Sequence, residues 1–131
     1  MITLNFVMRA NAVSCLLFGI TFLVIPNQVT AFLATVSAIP KSVLFFLGVG
    51  LLINGLHLIW ASLQRPLSQA LVNYFSIGDF IWLLASISLV VMEIWIDTTA
   101  GAVTTLAVAI VVGGFGVMQK ILSKRLGIAE V

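Results

Sequence analysis

The sequence predicts an all-α membrane protein with four transmembrane helices in an up-down bundle. Hydrophobic residues make up 62% of its 131 residues and charged residues 8%, whereas about 25% of residues are charged in an ordinary soluble domain. Four apolar stretches each reach the roughly 20 residues that a helix needs to cross a bilayer. These stretches are continuous rather than alternating in polarity, so we expect helices and not the strands of a membrane barrel.

The four predicted spans form a single domain over residues 1–131. They are placed at residues 4–25, 41–63, 67–96 and 98–122. Pro26 ends the first span because proline breaks the helical pattern, and Pro40 opens the second because proline is tolerated in a first helical turn. The apolar segment 26–40 is too short to cross, which leaves an interfacial helix and a partly re-entrant turn both open. The short link Gln64-Arg65-Pro66 makes the second and third spans an antiparallel hairpin.

The distribution of positive charge predicts the orientation. In this topology the side that holds both termini carries Arg9, Arg65, Lys120, Lys124 and Arg125. The opposite side carries Lys41 together with Glu93 and Asp97. By the positive-inside rule, both termini are expected in the cytoplasm, with the protein in the plasma (inner) membrane.

The composition also excludes several classes of function. A formal net charge of +2 without basic runs does not indicate a nucleic-acid partner. Cys15 is the single cysteine, so there is no intrachain disulfide or cysteine-based zinc site, and we interpret it as apolar filler. One histidine with few acidic neighbours does not make a metal site.

Small residues predict where the helices touch. In lipid, helices associate by close packing, and small residues four apart mark contact faces. Thr105, Ala109 and Gly113 form such a row in the fourth span. Gly48 and Gly55 make the second span narrower, because glycine has no side chain. Packing within one bundle is the simpler interpretation; a homo-oligomer or a membrane partner subunit is the alternative.

Polar residues inside the spans are the candidate functional residues. Asp79, His57, Asn54, Asn11 and Arg9 are assigned to one pocket, and Asn73, Ser76 and Gln119 to its cytoplasmic mouth. At a rise of about 1.5 Å per residue, Asn54 and Asp79 lie roughly 15 Å and 16 Å from the Arg65 hairpin, at nearly one depth. An aspartate at that depth costs at least ~2.5 kcal/mol to insert, so it should face the bundle interior with a partner.

Two interpretations of this cluster stay open. In the first, Asp79 bonds to His57 or Arg9 and only ties the helices together. In the second, the cluster lines a ligand pocket or a proton path, as ionisable groups in membranes commonly do. A cavity beside Asp79 distinguishes the second interpretation from the first.

The chain resembles small bacterial four-helix integral membrane proteins of the DoxX-like group. The resemblance rests on Arg9, Phe18-Gly19, Pro26 and the glycine-rich stretch Gly48 to Gly55. It implies a four-helix architecture over the whole chain. Some members of the group are linked to quinone-dependent or redox-associated membrane complexes, which implies a similar association here.

Three functions follow from these observations. We expect first the binding of a small lipophilic ligand or of a partner subunit through the pocket around Asp79. No resident cofactor is predicted, but a lipid, a quinone-like molecule or another lipophilic molecule fits such a pocket. The second is a small proton-coupled transporter, although small multidrug-resistance exporters carry their carboxylate in the first helix, where this chain has Asn11. The third is a lipid- or isoprenoid-modifying enzyme that uses His57 and Asp79 as an acid–base pair.

Overall fold

The computed structural model of the chain describes residues 3–125. This part of the chain has five helices joined by loops and contains no strands. They are α1 (Leu4–Val24), α2 (Pro26–Leu33), α3 (Lys41–Ser62), α4 (Gln69–Val91) and α5 (Thr99–Arg125). Both termini are expected in the cytoplasm, and the two ends of the chain, residues 1–2 and 126–131, lie outside the described residues.

Helix α1 begins and ends where the sequence signals predict. The side chain of Thr3 accepts a hydrogen bond from the backbone N–H of Phe6 at 3.1 Å, which satisfies one of the free donors of the first turn. Ile25 leaves helical geometry, and Pro26 then begins α2 at its first position, where proline loses no helical hydrogen bond. The segment after the first span therefore contains a short helix, one of the two conformations left open for it.

The ends of α3 and the start of α4 also agree with the predicted spans. Pro40 caps α3 with extended backbone. Helix α3 ends at Ser62, and the short connection leads to Ser68, whose hydroxyl accepts a hydrogen bond from Ala70 N at 3.1 Å.

The end of α4 differs from the prediction. The helix stops at Val91 rather than at residue 96, and two later residues, Glu93 and Trp95, take positive φ angles of 54° and 62°. Such angles belong to the left-handed region, which ends a right-handed helix. Apart from Glu93, the residues from Val91 to Ile96 are apolar, so hydropathy alone does not show where this helix ends.

Asp97 fastens the chain just before α5 to the segment that follows α2. Its carboxylate accepts hydrogen bonds from Thr35 N at 2.8 Å, Thr35 Oγ1 at 3.0 Å and Val36 N at 2.9 Å. The hydroxyl of Thr98 donates to Phe32 O at 2.7 Å, and Asp97 N donates to Leu33 O at 2.9 Å. We call these contacts the Asp97 clasp.

The long helices pack as two close pairs, α1 with α3 and α4 with α5, and α1 also contacts α5. The first pair meets backbone to backbone at two glycines. A Cβ atom on Gly19 would lie 2.9 Å from Gly48 O, and one on Gly48 would lie 3.1 Å from Gly19 O. Only glycine allows this approach.

The surface of the described helices is apolar where a soluble protein would be polar. Large side chains such as Phe46, Val24 and Val91 are 71%, 71% and 75% exposed. All four long helices of the described region, α1, α3, α4 and α5, are long and apolar enough to cross a bilayer. The chain is therefore a multi-pass membrane protein.

Candidate intramembrane binding site

Asp79 lies on a polar inward face of α4. The buried polar residues of this helix are Gln69, Ser76, Asp79 and Ser86, whose spacings of seven, three and seven residues place them on one side of a helix. The carboxylate is 5% exposed. Helix α5 leaves room for it, because a Cβ on Gly116 would lie 3.2 Å from Asp79 Cβ and 3.0 Å from the Phe80 ring.

Two amide side chains hold the Asp79 carboxylate. Asn11 Nδ2 donates to both carboxylate oxygens, at 3.1 Å and 2.9 Å. Gln119 Nε2 donates to Oδ2 at 3.0 Å. The carboxylate thus joins α1, α4 and α5 through neutral donors, and no cation is hydrogen-bonded to it among the described residues.

The same amides extend the network on both sides of Asp79. Asn11 Nδ2 also donates to Gln119 Oε1 at 3.2 Å. Gln119 Nε2 reaches Ser76 Oγ at 3.4 Å, and the Ser76 hydroxyl donates to Gly116 O at 3.1 Å. In the other direction, the thiol of Cys15 contacts Asn11 Oδ1 at 3.8 Å.

Asn54 brings α3 into this network. Its Nδ2 donates to Cys15 Sγ at 3.4 Å, which is a weak acceptor. All four long helices are therefore linked by side chains at the level of Asp79. Every buried side-chain nitrogen and oxygen of the described residues has a hydrogen-bond partner, as expected where water is excluded.

A cavity of about 340 Å³ lies beside Asp79. Its polar wall is formed by Asn11, Ser14, Cys15, Asn54 and Asp79. The remaining wall is apolar and aromatic. A volume of this size is at the lower end of the range for small-molecule sites, roughly 300–1,000 Å³.

The cavity opens sideways, toward the lipid. Ile77, Gly78 and Ile81 line it and are also exposed on the surface of α4. The main helix contacts pair α3 with α1 and α4 with α5, which leaves the seam between α3 and α4 loosely packed. The cavity therefore borders the apolar outer surface of the bundle beside α4.

His57 lies apart from the carboxylate. Its ring packs against Phe75 at 4.9 Å between centroids, and against Tyr74 and Trp60 at 5.6 Å each. Asn54 and His57 are three residues apart, which turns their side chains by about 60° around the helix axis. That rotation directs His57 toward the aromatic residues of α4, so the bond between His57 and Asp79, one of the alternatives that the sequence left open, is not formed.

Arg9 does not partner Asp79 either. It is exposed, and its Nε donates to Ser62 Oγ at 3.3 Å. Arg9 is two residues nearer the start of α1 than Asn11, and its long side chain lets the guanidinium stay at the surface. Arg9 therefore ties α1 to the end of α3 rather than neutralising the carboxylate.

The three residues assigned to the mouth of the pocket lie in two different environments. Ser76 and Gln119 are fully buried, because both bond within the Asp79 network. They are interior residues and not mouth residues. Asn73 is half-buried and accepts a hydrogen bond from Gln69 Nε2 at 3.0 Å.

Three contributing residues escaped the sequence interpretation. Cys15 bridges Asn11 and Asn54, although it was taken as filler; its position one turn after Asn11 was the available signal. Gln69 Nε2 also donates to Ser123 Oγ at 3.2 Å, a second polar link between α4 and α5. The spacing of Gln69, Ser76 and Asp79 along one face was the signal for this link.

The described residues contain no group of three or more histidine, cysteine, aspartate or glutamate side chains placed to hold a metal ion. The chain matches no protein-family model, no curated protein sequence and no solved structure. The resemblance to the DoxX-like group thus stays a prediction.

Proposed function

We propose that this chain binds a small lipophilic molecule in the cavity beside Asp79. In this proposal the four spans form an up-down bundle in the plasma (inner) membrane with both termini in the cytoplasm, as the positive-inside rule indicates. The molecule enters from the bilayer between α3 and α4. Its polar group bonds to Asp79 and Asn54, and its apolar part rests on the aromatic wall.

The observation that carries the proposal is the cavity that touches an intramembrane carboxylate. If Asp79 were only a clamp between helices, its surroundings would be filled by side chains, because membrane helices associate through close packing. Here, Asp79 is held by α1 and α5 on one side and borders open space on the other. An ionisable group in that position is expected to bind a ligand.

The polar wall defines the head group. In its ionised form the Asp79 carboxylate offers only acceptors, and Asn54 adds a carbonyl acceptor together with an amide donor that has only a thiol as its partner. A hydroxyl or amino group satisfies this wall by donating to Asp79 and accepting from Asn54. A head group without a donor makes no hydrogen bond to the carboxylate.

Quenching of Trp82 fluorescence tests the proposal, because Trp82 lines the cavity. With Trp60→Phe and Trp95→Phe as background, 4-bromophenol in lipid nanodiscs should quench Trp82 in a saturable way. Asp79→Asn should weaken this binding about fivefold or more, since hydrogen bonds to charged groups are stronger than neutral ones by about 1 kcal/mol.

Two glycines provide a matched control. A Cβ on Gly78 or Gly114 meets nothing within 4 Å, but only Gly78 lines the cavity. Gly78→Phe should abolish saturable quenching, and Gly114→Phe should leave it unchanged. Quenching that rises linearly with probe concentration and is equal in all variants would overturn the proposal.

Proton-coupled transport is the second candidate. It is favoured by the row of polar side chains that continues from Asp79 toward the hairpin end of α4, through Ser76 to Gln69. Ligand-driven proton movement in proteoliposomes that is lost in Asp79→Asn would support transport over binding alone. The geometry gives no support to an acid–base enzyme, because His57 and Asp79 are not hydrogen-bonded.

A further inference from the structure

A second cavity, of about 440 Å³, lies next to the first along the bundle. It is bounded by Phe22, Leu47, Leu89 and Trp95, and α2 contributes Val29, Phe32 and Leu33 to its wall. Its polar lining groups are hydroxyl, amide and indole groups, and none of its lining residues is charged.

The two cavities are consecutive along every long helix. In α4 the first cavity extends from Tyr74 to Trp82 and the second from Trp82 to Leu89. In α1 the boundary falls at Phe18, and in α5 it falls at Val108. These three residues line both cavities, so the wall between them is no thicker than their side chains.

The lining changes in character from one cavity to the other. The first has a carboxylate and two amides among its lining residues. The second has no ionisable group and is the larger of the two. A molecule with a polar head and an apolar tail therefore meets matching surroundings along one axis. Asp79 and Leu89 are about 15 Å apart along α4 at the rise of an α-helix.

We infer that the ligand is a single-chain amphiphile, with a hydroxyl or amino head group at Asp79 and one hydrocarbon chain that passes Trp82 into the second cavity. This inference rests on the proposed function of the first cavity. Trp82 is half-buried, and rotation of partly exposed side chains is fast, so movement of its indole joins the two spaces. A wall formed by three side chains admits one chain rather than the two chains of a phospholipid.

Probes of two lengths test where the hydrocarbon chain of the ligand lies. Terminally brominated butanol fits within the first cavity, whereas terminally brominated dodecanol should place its bromine in the second. In the Trp60→Phe, Trp82→Phe background, Trp95 alone reports on the second cavity. We expect saturable quenching of Trp95 by the dodecanol probe and not by the butanol probe.

Filling the second cavity should separate the two probes. Ala85 is exposed and lines that cavity, while Ala107 is exposed and lines neither. Ala85→Phe should weaken dodecanol binding about tenfold and change butanol quenching of Trp82 less than twofold. Ala107→Phe should change neither.

The outcomes distinguish the inference from the proposed function. If bromobutanol binds in an Asp79-dependent way but Ala85→Phe has no effect on bromododecanol, or if bromododecanol does not quench Trp95, the tail site is overturned and the proposed function stands. If bromobutanol shows no saturable binding that depends on Asp79, the proposed function fails, and the tail site fails with it.

Discussion

Asp79 and Asp97 both join distant segments of the chain, but they obtain their hydrogen bonds from different sources. Asp79 is buried among helices and accepts from the side-chain amides of Asn11 and Gln119. Asp97 is exposed in a loop and accepts mainly from the backbone N–H groups of Thr35 and Val36. The first arrangement depends on which residues are present, and the second depends on how the backbone is folded.

The difference has an energetic consequence. Water competes for every hydrogen bond of an exposed carboxylate, so the loss of such a hydrogen bond lowers the stability only a little. Inside the membrane no water replaces a lost partner, and an unpaired amide carries the full cost of its burial. Substitutions at the two aspartates should therefore differ in size and in kind.

The largest effect is expected for Asp79→Leu. This change removes the carboxylate from the Asn11 and Gln119 amides, which keep only Gln119 Oε1 and Ser76 Oγ as acceptors, and a buried N–H group left unpaired costs about 1–3 kcal/mol. Asp79→Asn keeps an acceptor and should cost clearly less. Unfolding in mixed micelles, followed by circular dichroism, measures both; a leucine variant as stable as the asparagine variant would show that the amides find other partners.

A smaller effect is expected for Gly101→Ala, which acts on the Asp97 clasp. A Cβ at this position would lie 2.9 Å from Leu33 Cα and 2.6 Å from Thr98 Oγ1. Because a backbone atom is in the way, the clasp has to shift, at a cost of about 1–3 kcal/mol. The same unfolding measurement applies.

Gly114→Ala is the control for that variant, since its added Cβ meets nothing within 4 Å. It should leave stability unchanged or raise it slightly, as alanine favours helix. Equal stability of the two alanine variants would mean that the clasp tolerates the added methyl group.

The smallest effect is the pH dependence of the clasp. The backbone N–H groups of Thr35, and then of Val36, hold the pKa of Asp97 below its usual value. Because the folded-state pKa is lowered, the stabilisation is present above the usual aspartate value of about 4 and is lost as the pH falls through the folded-state pKa.

The NMR shifts of the Thr35 and Val36 amide protons in micelles follow this titration. Asp97→Asn should abolish it while the amide signals of α4 around Asp79 stay in place. A midpoint at or above the usual aspartate value would contradict the role of the backbone donors.

The same contrast explains what the sequence could reveal. The helices α1 and α3 were predicted to within a residue, because Pro26 and Pro40 mark their boundaries. Asn11 was recognisable as a partner of Asp79, since a polar side chain inside an apolar span needs an explanation. The Asp97 clasp left no such signal, because every residue except proline carries a backbone N–H.

The rotation of side chains around the helices was the main source of error within the site. Depth along a helix follows from counting residues, and Asn54 and Asp79, which were expected at nearly one depth, both line the first cavity. The direction of a side chain depends on which helices pack together, and that decided the positions of His57 and Gln119. A hairpin link suggested that α3 and α4 pack closely, whereas α1 and α5 are their main partners.

The order of Asp79 and its two partners along the chain has a consequence for biosynthesis. Asn11 is made first, and Gln119 follows Asp79 by 40 residues. At a synthesis rate of about 5–20 residues per second, Asp79 waits several seconds for Gln119. Asn11 is therefore the group that receives the carboxylate as the nascent α4 enters the membrane, and α5 completes the bundle afterwards.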